Sequence, residues 1–148
     1  MSLLQKKNIW LLLCLLNALP VVSQNEPGGL YVSGKISTEE GNVDGSIIKM
    51  SRNGTALKDY QVLPDGKFNL RFEFNNEYTL IFTRKGNFSQ KIVINTQVSS
   101  EVLRRDRKFP PFPVDVNLFT EVKGVESTFA ENATMKIYYS ASVDNFIS

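Results

Sequence analysis

The stretch Lys67-Phe68-Asn69-Leu70-Arg71-Phe72-Glu73-Phe74 decides the fold. Even positions are aromatic or aliphatic and odd positions are polar or charged. That period of two is what a strand with one buried face requires. Pro64-Asp65-Gly66 stands just before it and reads as a turn, because Pro presets φ and Asp-Gly tolerates positive φ. Asn75-Asn76-Glu77 turns the chain on the other side, and Tyr78, Leu80 and Phe82 repeat the alternation. Lys85-Gly86-Asn87 turns it again before Phe88 to Asn95, where Ile92 and Ile94 share a face.

Upstream, Leu30, Val32 and Ile36 alternate with Tyr31, Ser33 and Lys35, with Gly34 inside the strand. The polar run from Thr38 to Gly45 is a turn region. Ser46 to Arg52 is a second strand ended by Asn53-Gly54, a strong hairpin signal. Tyr60 to Leu63 makes a short third one. Strands separated by turns roughly every 8–12 residues indicate a sandwich, not a helical or α/β fold. The expected fold is therefore all-β, an antiparallel β-sandwich of about seven strands with an extended Pro-rich C-terminal segment.

The first residues have the three parts of a secretory signal. Lys6 and Lys7 supply the charge, Ile9 to Val22 the apolar run, and Val21-Val22-Ser23 the cleavage site, so Gln24 becomes the first mature residue. Asn17 and Pro20 interrupt the run too early for a retained span of about 20 apolar residues. Cys14 follows Leu13 where lipoprotein processing needs a small residue, and it belongs to the apolar run. The expected organisation is a signal over 1–23, a mobile lead-in over 24–29, a sandwich over 30–98, and a basic linker with Pro-rich segment and further strands over 99–148. This reading makes the protein exported: periplasmic, cell-surface or secreted.

Once the signal is removed no cysteine remains, so burial alone holds the domain. About 125 residues suffice, since a domain that size buries roughly two-thirds of the surface of its unfolded chain. The 17 basic and 15 acidic residues become equal in number when Lys6 and Lys7 leave, which does not favour nucleic acid as a partner. With no His and no mature Cys, Ser-His and Cys-His nucleophile pairs and His or Cys zinc sites are excluded. No phosphate loop, calcium loop or other cofactor motif is present. Carboxylate pairs remain, and Glu39, Glu40, Asp44, Asp59 and Asp65 are candidates. Each lies in a turn-like polar stretch where solvated turn chemistry accounts for it.

In the last third, Arg104, Arg105, Arg107 and Lys108 precede Phe109-Pro110-Pro111-Phe112-Pro113. The prolines forbid a helix there. Phe109, Phe112, Arg104 and Arg105 form a candidate docking patch for a partner or an anionic surface; the opposing reading has the two rings clamp an extended segment onto the sandwich. Val114, Val116 and Leu118 make a further strand, Met135 to Ser140 a last one, and the segment between reads as loop. Asn53, Asn87 and Asn132 open N-x-Ser/Thr triplets.

Val32-Ser33-Gly34-Lys35-Ile36, the turn from Gly41 to Gly45, Ile47-Ile48-Lys49-Met50, Asp65-Gly66-Lys67-Phe68 and Tyr78-Thr79-Leu80-Ile81-Phe82 followed by Gly86 resemble the carboxypeptidase regulatory-like domain over about residues 30–95. The resemblance implies a transthyretin-like (prealbumin-like) or Ig-like sandwich from secreted and envelope proteins of Bacteroidetes. It also implies an accessory module without catalytic residues of its own, and a chain that runs past Ser148 in its relatives, making this a shortened form. The expected function is thus a non-catalytic exported binding or structural module of the bacterial cell envelope, not an enzyme. Its expected partner is a protein or glycan of the envelope, with membrane contact but no spanning. A carbohydrate- or peptide-binding domain is the alternative, with Tyr31, Tyr60 and Tyr138 as its aromatics; a carboxylate-dependent hydrolase stands behind both.

Overall fold

The computed structural model describes residues 28–105, 108–125 and 132–148. The alternating strands form two sheets, and the architecture is an all-β sandwich as expected. β1 (Gly29–Thr38) is central in a three-stranded sheet between β5 (Lys67–Glu73) and β8 (Phe112–Leu118). The other sheet runs β10 (Asn145–Ile147), β9 (Met135–Ser140), β7 (Gln90–Asn95), β6 (Glu77–Thr83), β2 (Ile47–Arg52), β3 (Thr55–Ala56), with β4 (Tyr60–Gln61) also paired to β2.

The stretch that decides the fold buries the side its sequence indicates. Phe68, Leu70 and Phe72 are buried, while Lys67, Asn69, Arg71 and Glu73 are exposed. Phe68 packs on Phe82 of the facing sheet with ring centres 5.5 Å apart, and Phe72 on Tyr78 at 4.8 Å. These tilted contacts add to the burial itself. Leu30, Val32 and Ile36 of β1, Val114, Val116 and Leu118 of β8, and Ile48, Leu80, Ile94 and Ile137 opposite complete the core.

Two pairings differ from the antiparallel expectation: β1 with β8, and β7 with β9, run parallel. Parallel neighbours need a long crossover, and local alternation carries no information about which distant strand will supply it. Through them the last third of the chain enters both sheets and shares the one core. Within the basic stretch a short helix, α1 (Ser100–Arg105), replaces the expected linker. Ser99 caps it, its Oγ accepting from the Val102 amide at 3.4 Å, with Glu101 in the first turn and Arg104 and Arg105 in the last.

At the β2–β3 hairpin Asn53 and Gly54 both take positive φ, 49° and 80°, as a tight two-residue turn demands. The Asn53 side chain then spans to the β5–β6 turn. Its Nδ2 donates to Asn76 Oδ1 at 2.8 Å and its Oδ1 accepts from the Glu77 amide at 2.9 Å.

Candidate functional site

The register of β1 against β5 sets Ser33 opposite Asn69, Gly34 opposite Phe68 and Lys35 opposite Lys67. With Tyr60 of β4 and Leu63 just beyond it, these residues line an open pocket of about 430 Å³. Phe68 is buried, Tyr60 half-buried, and Leu63 exposed. Among the described residues the Ser33 hydroxyl, the Tyr60 hydroxyl and the Asn69 amide make no hydrogen bond. An apolar lining with a few uncommitted polar groups is the usual make-up of a small-molecule site.

The lysine pair gives the pocket its charge. Like charges directly opposite on neighbouring strands repel. Lys67 Nζ reaches Asp65 Oδ2 at 3.4 Å, both side chains well exposed. Asp65 is fixed in place: the Lys67 amide donates to its Oδ1 at 3.0 Å, and that bond first, then the lysine's charge, holds its carboxyl below the ordinary value of 3.8. Lys35 stands between Lys67 on one side and Asp115 of β8 on the other, yet it forms no ion pair with any described residue.

A second pocket, also about 430 Å³, is lined by Phe88, Glu121, Val122, Lys123 and Val125. Its two charges are opposite in sign, and most of its wall is a single connecting loop. It offers less chemistry.

The residues of the candidate docking patch differ in exposure, and two of them, Phe109 and Arg105, meet through Tyr139 and Asp144. Phe109 is 8 % exposed and sits edge-on to Phe74, Tyr139 and Phe146, with ring centres 5.6, 5.8 and 5.1 Å away. Phe112 opens β8 beside Val32 and is half-buried. Arg105 donates from Nη2 to both oxygens of Asp144, 2.7 Å to each, and the Tyr139 hydroxyl donates to that same carboxylate. This hydrogen bond, with lesser help from burial, raises the Tyr139 hydroxyl above its ordinary 10.0. Arg104 is exposed. The rings therefore hold the segment before β8 against the β9–β10 hairpin.

Ser23 and Gln24 lie outside the described residues. Tyr31 and Tyr138 are exposed but belong to different sheets, so these two do not share a face. The five carboxylates are all exposed, and Glu39 and Glu40 are spent on the Thr120 amide at 3.3 Å and on Arg84 at 4.0 Å. Asn87 is buried, its Nδ2 donating to the Leu118 carbonyl at 3.0 Å and its Oδ1 accepting from Arg84 at 2.8 Å, which leaves its triplet inaccessible in the folded protein. Among the described residues no group of three or more carboxylates, His or Cys is placed to hold a metal, and no helix is long and apolar enough to cross a membrane. Sequence reading saw Lys35 and Lys67 only as outward-facing polar positions. Their opposition follows from the pairing of β1 with β5, which neither strand announces by itself.

No protein family matches the chain. No curated protein matches it. Among solved structures it is similar to catechol 1,2-dioxygenase from Acinetobacter sp. ADP1 inhibited by bound mercury, at 10 % identity and TM-score 0.46, over 78 % of this chain and 60 % of that one. It is similar too to two single-residue mutants of the Acinetobacter radioresistens catechol 1,2 dioxygenase, at 11 % and 12 % identity and TM-score 0.46, over 75 % of this chain and 58 % of each. The chain thus spans about three-fifths of the length of these structures. The sheet-rich sandwich is compatible with a transthyretin-like domain. The expected function is corrected: these three structures are of catechol 1,2-dioxygenases and none of the three is an envelope module, so the assignment as a non-catalytic exported binding or structural module, with its glycan, peptide and hydrolase alternatives, is withdrawn. Its basis was turn glycines and alternating strands, which specify a sandwich and carry nothing about a partner.

Proposed function

We propose that the protein binds a small amphiphilic anion, an aromatic or aliphatic carboxylate or sulfonate, in the pocket between β1, β4 and β5. The observation that carries this reading is the unpaired Lys35 ammonium opposite Lys67 beside an apolar lining of Phe68, Tyr60 and Leu63. The apolar body of the ligand lies on Tyr60 and Leu63, and its charged head answers the repulsion between the two lysines. The volume falls in the range of about 300–1,000 Å³ usual for such sites. We further propose that binding takes place outside the cytoplasm, a reading supported by the order of Lys6 and Lys7, the apolar run and Ser23. Among sandwiches, the carboxypeptidase regulatory-like family remains the proposed kinship, supported by the strand and turn residues between Val32 and Gly86.

The test is a fluorescence titration with 8-anilinonaphthalene-1-sulfonate, run beside its uncharged relative N-phenyl-1-naphthylamine. The sulfonate is expected to bind saturably at one site and the neutral dye more weakly. Exposed ion pairs contribute about 0.2–1 kcal/mol each, so Lys35→Gln with Lys67→Gln weakens the sulfonate about two- to thirtyfold and leaves the neutral dye unchanged. Equal loss for both dyes, or no saturable binding by the native chain, would refute the assignment.

A further inference from the structure

The main-chain groups of β5 alternate between two sides, and one side has no strand beside it. The Ile36 amide donates to the Gly66 carbonyl at 2.9 Å, which sets residues 66, 68, 70 and 72 as those bonded to β1. The N–H and C=O groups of Lys67, Asn69, Arg71 and Glu73 therefore face the open edge. The two ends of that edge are already closed. The Lys67 amide donates to Asp65, the Glu73 amide to the Tyr78 hydroxyl at 3.1 Å, and the Glu73 carbonyl accepts from Thr96 Oγ1 at 2.7 Å. Asn69 and Arg71 stay open between them, with no partner among the described residues.

We infer that this edge pairs antiparallel with β5 of a second copy of the chain, about a two-fold axis at Leu70. Such an interface is self-complementary by symmetry, and the register tests that requirement. Centred on Leu70, Asn69 faces the second copy's Arg71, and the two exchange both main-chain bonds on each side of the axis. Lys67, which also reaches Asp65, then faces on the outer face the second copy's Glu73, whose carboxylate Arg52 of its own chain approaches at 3.0 Å, an attractive cross-strand pair added to these two exposed ones. Moving the axis to Asn69 sets Lys67 against Arg71, and moving it to Arg71 sets that residue against itself. Charge selects the register in which the open groups are also the ones that meet. Phe68 and Phe72 meet on the inner face, extending the three-stranded sheet across the axis. An edge strand with an unbroken apolar row is otherwise exposed to uncontrolled pairing.

Lys67 and Asn69 also line the pocket, so dimerisation is read by mass on the chain without ligand, where a failure of ligand binding leaves it untouched. Sedimentation of the chain without ligand, at concentrations rising to millimolar, is expected to show a reversible monomer–dimer equilibrium. Lys67→Glu alone and Glu73→Lys alone each put like charges across the axis and raise the dimer dissociation constant about tenfold or more. The double swap, Lys67→Glu with Glu73→Lys, restores the attraction and returns the constant toward that of the native chain, and far-UV circular dichroism of each single variant, expected to match the native chain, shows that it is folded. A chain that stays monomeric at millimolar concentration overturns the inference, and so does a dimer indifferent to both single swaps. A monomer whose Asn69 and Arg71 amides resist hydrogen exchange overturns it as well, since another segment of the same chain would then hold the edge.

Discussion

A methyl group added to Gly34 would stand 1.6 Å from the Val114 carbonyl oxygen and 3.1 Å from the Phe68 ring. Glycine inside a strand marks such a place, where another backbone comes closer than a side chain allows. Gly34 faces the core from the middle strand of the smaller sheet, with β5 on one side and β8 on the other. Gly34→Ala must push β8 away or tilt β1. Overpacking a filled interior commonly costs about 1–3 kcal/mol, and a clash with backbone lies at the upper end or beyond, about 3 kcal/mol. Urea unfolding is expected to show a midpoint shifted by that loss; an unchanged midpoint would mean that the two strands are not held at this spacing. The glycine was visible in the sequence as an interruption of an alternating run. Its reason was not, because the atom it makes room for lies in β8.

The β9–β10 hairpin is tied to α1 by Arg105 and Asp144, and Tyr139 adds its hydroxyl to the same carboxylate. Because that bond holds the Tyr139 proton above pH 10.0, its stabilisation is present below 10.0 and fades as pH rises through the higher folded value. Tyr139→Phe is therefore expected to unfold with a shallower loss of stability on the alkaline side than the native chain, the two being compared by thermal melts from neutral pH upward. Parallel curves would mean that the hydroxyl is not held by Asp144 in solution. At this scale legibility varied from one element to the next. The row from Phe68 to Phe74 was plain, since a single face carries its whole signal. α1 carried a Ser cap with acidic and basic ends, but six residues are too few for a helical period to emerge beside a run of arginines. The Phe109 ring was visible as an aromatic among prolines; its neighbours come from two distant parts of the chain, Phe74 from just after β5 and Tyr139 and Phe146 from the β9–β10 hairpin. The candidate pocket was illegible for a like reason, drawing its wall from β1, β4 and β5.

Across the whole molecule the strands of the last third are structural partners of the first. Without β8, the core sides of Val32 and Ile36 lose Val114, Val116 and Leu118 beside them, and without β9 and β10 Ile137 and Phe146 are lost from the core. A fragment ending at Val98 is therefore expected not to fold, giving an amide NMR spectrum collapsed into the narrow range of an unfolded chain. A dispersed spectrum would show that residues 30–98 carry a sufficient core by themselves.

Ser37 and Asn117, which face each other across β1 and β8, are 80 residues apart in sequence. A ribosome delivers β1 early and its parallel neighbour β8 far later, so for most of synthesis one hydrogen-bonding edge of β1 has nothing of its own to meet. Contacts that span so much chain also make for slow closure, in milliseconds to seconds for folds of this type. Until β8 has been made, the growing chain is vulnerable to pairing with other chains and suited to being held open by a holdase.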